Sequence, residues 1–434
     1  MSVQDTYVAE SSKMNVFKKN LSWIFFGNIV HAIFQFALNI YCARQFGSSD
    51  YGVINYCVSL VAFFTAVGTL GFNGVITKFF AQEEENAGKF LGTTILTRLV
   101  FSVLSILLLQ IIITFDEAYS PTLAIIVLCQ SAQIMFGVAD LFVYWFRYKN
   151  QAKHVAIIRL VAFAMAALWR FVAIYFHSLE WYSMGISMEI ELFSIFLYWL
   201  FRREYNEHRL SFDKNCLTQI FRLSYPFIFS AILVTIYGQT DKIMLKSMVD
   251  FESVGLYSVS LTLAGAISII PAALIEGFRP EIMIYKVQNE AKYKHRLRQL
   301  YGIVFWICVL YCVFIAIFSE PLIRLLYGEQ YLAAVSSLSI IVWYTSFSYF
   351  GAINNMYMVA ENKTFWVQII TLVGAVLNVV LNFFFIPLCG IVGAAIASLI
   401  TQIFGNYILM FLIKPLRGGF KLLNEGIIVK WVKQ

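Results

Sequence analysis

Arg170 and Glu189 lie in two adjacent apolar stretches joined by a short turn around His177-Ser178-Leu179. At a helical rise of ~1.5 Å per residue they sit ~10 and ~13 Å from that turn, close enough in depth to pair. Glu191 is the alternative partner for Arg170. Ionisable groups inside a bilayer are costly and face either a cavity or a counter-charge. The pair therefore either locks a helical hairpin or serves a substrate or a coupling ion. Asp140 lies seven residues before Arg147 on nearly the same helix face, suited to a proton relay, to the cap of a wet cleft, or to a structural role. His31 and Gln35 are four apart and form a polar stripe with Asn28 and Asn39. There a packed, hydrogen-bonded histidine competes with a switch.

Two clusters suit an anionic ligand. One is Tyr237, Gln239, Asp241 and Lys242; the other is Glu276, Arg279 and Glu281. Arg279 and Lys78 occupy corresponding inner helix ends, where two cations would attract a pyrophosphate or acidic sugar, because a desolvated phosphate needs charge-assisted donors. An ordinary basic girdle is the competing reading. Asn378 and Asn382 are read as interhelical hydrogen-bonders. No phosphate-binding loop, HExxH, GxSxG or Cys/His cluster is present, so no catalytic residue, metal site or cofactor is expected. The seven cysteines form no CxxC and sit mostly in apolar runs, as core thiols.

The elements that must hold these groups follow from composition. Of 434 residues, 60% are apolar and 13% charged, with a mean hydropathy of +0.74. A soluble domain is about 25% charged, so a soluble enzyme, a disordered chain and a nucleic-acid module are excluded. Continuous apolar runs rather than ~10-residue alternating ones point to membrane helices and not a β-barrel. Twelve spans are expected, at roughly 21–43, 53–77, 90–114, 121–146, 155–176, 181–201, 223–243, 253–276, 300–318, 331–358, 364–388 and 391–413. With both termini inside, 25 lysines and arginines fall on inner segments and four on outer loops, a strong positive-inside bias.

Tyr51-Gly52-Val53 before the second span corresponds to Val254-Gly255-Leu256 before the eighth, an offset that also relates the first and seventh spans. Two six-helix parallel repeats are thus expected, as in transporters with a site between halves. The organisation is an inner segment 1–20, a lobe 21–201, a linker 202–222, a second lobe 223–413 and a basic tail 414–434. In the tail Phe420, Leu423, Ile427 and Trp431 recur at helical spacing, which suits an amphipathic helix on the inner leaflet.

Ordered fragments over nearly the whole chain carry a resemblance. They run from Ala43-Arg44-Gln45-Phe46-Gly47 and Tyr51-Gly52 through Ser224-Tyr225-Pro226, Asp241-Lys242-Ile243-Met244-Leu245 and Val254-Gly255-Leu256-Tyr257-Ser258. Phe278-Arg279-Pro280, Ser319-Glu320-Pro321, Tyr327-Gly328, Leu377-Asn378, Asn382, Ile386-Pro387 and Gly393-Ala394-Ala395 complete the series. In this order they resemble the O-antigen and polysaccharide repeat-unit flippases of the multidrug, oligosaccharidyl-lipid and polysaccharide exporter superfamily. The resemblance implies an all-α integral membrane protein shaped as a V, with a central cavity lined by spans one, two, seven and eight.

It further implies alternating access for an undecaprenyl-pyrophosphate-linked repeat unit, moved from the cytoplasmic to the periplasmic leaflet of the bacterial inner membrane. Arg279, Lys78, Lys242, Tyr237, His31 and Gln35 are then candidates for the substrate. Arg170, Glu189, Glu191, Asp140, Asp241 and Glu276 are candidates for ion coupling or for structural pairing. The polymerase and chain-length machinery of the pathway are the expected partners, besides lipid. Tyr257 is followed by Ser258-Val259-Ser260 with no cation, which departs from the peptidoglycan-precursor branch. A multidrug exporter of the same superfamily is the alternative, ahead of a membrane-embedded polysaccharide-processing enzyme.

Overall fold

The computed structural model describes residues 3–72, 76, 80, 87–149, 151–205 and 210–429. Without water to satisfy backbone groups, apolar segments close their own hydrogen bonds, and every regular element among the described residues is a helix. The first half comprises α1 (Val3–Thr69), α2 (Ala87–Thr114), α3 (Pro121–Phe136), α4 (Asp140–Tyr148), α5 (Ala152–Tyr175) and α6 (Leu179–Glu204). The second comprises α7 (Lys214–Met248), α8 (Phe251–Ala264), α9 (Ile269–Gln288), α10 (Glu290–Leu326), α11 (Ala334–Ala360), α12 (Thr364–Ile403), α13 (Leu409–Leu412) and α14 (Arg417–Ile427).

Two breaks reconcile these elements with twelve spans. Gly47 interrupts α1 at φ 85° and ψ 172°, a conformation essentially confined to glycine, and Gly390 interrupts α12 at φ 54°. Side-chain caps fix several starts. Ser120 accepts from the Leu123 N–H at 3.1 Å, Ser178 from Trp181 at 3.2 Å and Asp250 from Ser253 at 2.7 Å. Asp213 accepts from Cys216 and Asn215 at the start of α7. Those two backbone donors hold its carboxyl below the usual carboxylate range, so the cap persists at neutral pH and weakens as acid protonates it.

Several span ends differ from the hydropathy reading. The second span ends as a helix at Thr69, at a turn through Leu70 and Gly71. The fourth is divided by a 3-10 turn at Gly137–Ala139, which sets Asp140 at the start of α4. The seventh begins at Lys214 and bends by 48° at Pro226. The expected connection 277–299 is almost wholly helical, with only Asn289 between α9 and α10. Its 37 residues make α10 ~55 Å long, against a hydrocarbon core of ~30 Å, so its first turns project beyond the bilayer. Ion pairs stabilise the projecting part: Lys294–Glu290 at 2.6 Å, Arg296–Glu281 at 2.9 Å and Arg298–Glu425 at 2.7 Å.

The chain divides into two compact units, residues 1–45 with 57–235 and residues 46–56 with 236–434. The first has an aromatic core in which Trp145 meets Phe80, Phe201 and Tyr205. The second is centred on Tyr293, Leu297, Tyr301, Phe350 and Met410. Within it α14 packs Leu422 and Leu423 inward and ties Glu425 to α10, so protein covers the face that the sequence assigns to the leaflet. Trp431, Lys430 and Lys433 lie outside the described residues. Also within it, Gly52 and Gly255 meet face to face, and a Cβ on either would fall 1.7 or 2.0 Å from the opposing carbonyl of Phe251 or Ser48. The two glycines that the sequence relates by a repeat thus make one helix crossing, closed to any larger residue.

Candidate functional site

α1 carries Asn28, His31 and Gln35 on one face, since spacings of three and four bring side chains together. Across from them α5 presents Arg159 and Arg170, and α6 presents Glu189. Arg170, 2% exposed, spends its guanidinium on three partners. Nη2 donates to Glu189 Oε2 at 2.9 Å, Nη1 to Gln35 Oε1 at 2.9 Å and Nε to the Gly185 carbonyl at 3.0 Å. The other Glu189 oxygen is 2.7 Å from His31 Nε2, and Gln35 donates to Asn39 at 3.0 Å. Five of the residues singled out in the sequence, Arg170, Glu189, Gln35, His31 and Asn39, are therefore one network, and it joins a helical hairpin to α1.

Two members of this network, His31 and Glu189, line a cleft of about 370 Å³ inside the first unit, whereas Arg170, Gln35 and Asn39 stand behind them and do not. Asn28, Thr65, Thr69, Gln133, Asp140 and Arg159 supply further polar groups, and Phe136 and Phe193 supply ring faces. A cavity walled by amides, hydroxyls, carboxylates and aromatic rings inside an apolar bundle can hold a polyhydroxylated group, matching its hydroxyls with hydrogen bonds and its C–H faces with rings. Asp140 and Arg159 line it without an ion pair to each other or to any described residue, so both keep donors or acceptors for a ligand. Glu191 lines no part of it. Sequence reasoning passed over Arg159 as a site residue, although a cation inside an apolar span was itself the signal.

The second unit holds a separate polar knot. Asp241, 7% exposed, accepts from Tyr257 Oη at 2.6 Å, Asn382 Nδ2 at 2.6 Å and Ser398 Oγ at 2.5 Å. Asn378 bonds both Asn382 and Ser398. The carboxylate thus ties α7 and α8 to both halves of α12. Tyr237 is one turn before Asp241 and packs near Gly374, and Lys242 is partly buried beside the knot. Removing the acceptor in Asp241→Ala strands three donors at ~1–3 kcal/mol each. We expect a lower melting temperature of the solubilised protein by several degrees or more, with Asp241→Asn milder because it retains one acceptor. An unchanged melting curve for Asp241→Ala would show that the knot carries no stability.

Arg279 is placed differently. At 42% exposure it grips Glu276 bidentately on the same face of α9, with Nη2–Oε1 at 2.7 Å and Nε–Oε2 at 3.0 Å. An anion that reaches Arg279 must share it with Glu276. Lys78 lies outside the described residues. Among the described residues no group of three or more His, Cys, Asp or Glu side chains is arranged to hold a metal ion.

Known proteins resemble the chain as follows. The family described as "Polysaccharide biosynthesis protein" matches residues 17–276, more than half of the chain, and the family described as MatE matches residues 226–384. The capsular polysaccharide biosynthesis protein CapF of Staphylococcus aureus is 21% identical over 391 residues, covering 88% of this chain and 96% of CapF. The lipid II flippase MurJ in an inward closed conformation superposes with a TM-score of 0.73 at 17% identity, covering 94% of this chain and 92% of MurJ. A multidrug resistance MATE family transporter of the MOP superfamily, inward-facing, gives 0.68 at 14% identity, covering 91% and 96%. The fold is therefore the twelve-helix transporter fold of that superfamily, in a multi-pass membrane protein.

Proposed function

We propose that this chain, which belongs to the polysaccharide biosynthesis protein family, flips a polyprenyl-pyrophosphate-linked repeat unit of a surface polysaccharide across the bacterial cytoplasmic membrane. The observation that carries the reading is the polar cleft of about 370 Å³ within an otherwise apolar helical unit. A sugar head group cannot enter hydrocarbon unaided, because each polar group stripped of partners costs several kcal/mol. The cleft replaces lost water with Asn28, Gln133, Asp140, Arg159 and Glu189, while the prenyl tail stays in lipid. Transport proceeds by alternating access with both termini cytoplasmic, in keeping with the basic residues on the inner segments.

The repeat unit is that of an O-antigen or of a capsule; the full-length similarity to CapF favours a capsule. We further assign Tyr237, Lys242, Arg279 and Lys78 to the head group. Asp140, Asp241, Glu189, Glu191 and Glu276 are the carboxylates available for ion coupling. Polymerase and chain-length proteins are the downstream partners. The MatE match, with the likeness to a multidrug resistance MATE family transporter, supports a second reading, multidrug export. Deleting the gene separates the two. Lipid-linked repeat units trapped on the cytoplasmic leaflet, released by the intact gene, are expected for the flippase. Normal surface polymer with sensitivity to cationic dyes would overturn it in favour of the exporter.

A further inference from the structure

A second, smaller crevice adjoins the cleft in the first unit. Arg147, in the last turn of α4, and Arg159, two turns into α5, both line it, together with Gly27, Asn28, Ala152, Val155, Ala156 and Leu160. Asn28 and Arg159 also line the larger cleft, so the two spaces meet at these residues. The crevice holds about 20 Å³. On the scale where ~10–15 Å³ admits one water, it takes a compact group and excludes a sugar ring.

Among the described residues the two guanidiniums leave their donors unspent: neither makes a hydrogen bond or an ion pair, although each carries five N–H groups. Ring faces hold them instead: Arg159 lies over Phe193 at 5.0 Å and Arg147 over Tyr144 at 5.9 Å. Two like charges converge on one crevice, and Asp140, the nearest carboxylate lining the adjoining cleft, is bonded to neither. A compact anion with several acceptor oxygens satisfies both the charge and the forked donors, and this is the chemistry of a phosphate ester.

We propose that Arg147 and Arg159 form a phosphate clamp in the N-terminal unit, which takes the phosphate ester of the lipid-linked head group while its sugars fill the adjoining cleft. The assignment rests on the flippase reading for the origin of the phosphate. An anionic phospholipid offers the same chemistry from a second source. The clamp orders the head group along the unit, with phosphate between α4 and α5 and sugar toward Asp140 and Glu189. Arg159, common to both spaces, is the hinge of that arrangement.

Full-length protein purified in detergent tests this with farnesyl pyrophosphate as the probe, and with farnesol and dioleoyl phosphatidylglycerol as comparisons. The intact protein is expected to bind farnesyl pyrophosphate and not farnesol. Arg147→Gln and Arg159→Gln should each weaken binding about tenfold, as expected for loss of a charged hydrogen bond. Arg159→Lys, which keeps the charge and loses the fork, should weaken it less. Arg202→Gln, an exposed cation that lines neither space, should bind as the intact protein does. Undiminished binding by both glutamine variants, at an unchanged melting temperature, would overturn the clamp. So would an equal loss in Arg202→Gln, which would mean diffuse surface charge. Phosphatidylglycerol competing on equal terms would overturn the assignment to the substrate. The flippase reading fails separately: arginine-dependent binding of farnesyl pyrophosphate, alongside normal polymer in the deletion strain, would leave the clamp and remove the flippase.

Discussion

Gly52→Ala should leave little folded protein to purify, even though it adds a single methyl group. The new Cβ would stand 1.7 Å from the Phe251 carbonyl oxygen, and that oxygen belongs to backbone with no rotamer through which to yield. The helices must part, which opens the buried neighbourhood of Tyr51, Tyr331 and Val254. Overpacking costs typically ~1–3 kcal/mol where side chains can adjust; here we expect the top of that range or more. Gly255→Ala should behave alike, since its Cβ would stand 2.0 Å from the Ser48 carbonyl. The double variant should cost less than the sum, because the first methyl already separates the helices. Gly277→Ala in α9 meets nothing within 4 Å and should be neutral or slightly stabilising. Monodisperse yield after detergent extraction reads all four, and a Gly52→Ala protein that extracts and melts as the parent does would refute the close crossing.

Arg170→Gln has the second largest expected effect. It leaves Glu189 in a mostly buried site with His31 alone, and it removes the donor from Gln35 Oε1 and the extra donor from the Gly185 carbonyl. Removing one member of a buried pair costs ~3–5 kcal/mol, whereas neutralising both is far milder. Glu189→Gln should also destabilise, by less than Arg170→Gln because His31 and solvent are closer to hand. The double variant Arg170→Gln with Glu189→Gln should melt nearer to the parent than Arg170→Gln does. Strictly additive losses across the four proteins would mean that the two side chains are not coupled.

What the chain discloses on its own depends on the kind of force involved. Hydropathy marks the middles of the helices well, because lipid imposes apolarity on them directly. It misses their ends. Residues 277–299 look like a loop by polarity, yet Asn289 caps α10 at 3.0 Å and the Glu290–Lys294 pair supports its first turns in water. The depth arithmetic that sets Arg170 level with Glu189 works because a short turn fixes the hairpin. The bonds from Gln35 and His31 to the same pair were not legible, since nothing local dictates which face of α1 meets α5 and α6. Asp241 announces itself as a carboxylate near an apolar run, but its partners Tyr257 and Ser398 come from distant segments and carry ordinary helix residues. Arg159 is legible in the sequence as a cation within a span, but its place beside Arg147 and Asn28 on one crevice depends on packing between α1, α4 and α5. Gly52 and Gly255 occupy corresponding positions in the sequence, and their direct contact is a fact of packing that correspondence alone does not supply.

The most direct measurement is translocation by the purified protein in liposomes. A polyprenyl-pyrophosphate-linked oligosaccharide bearing a fluorophore on its sugar is placed in both leaflets, and a membrane-impermeant quencher is added outside. The intact protein is expected to carry the protected label outward and let quenching run to completion, and Arg159→Gln to slow it severely. Quenching that halts at the outer-leaflet fraction with active, folded protein present, as it does in protein-free liposomes, would contradict the flippase reading.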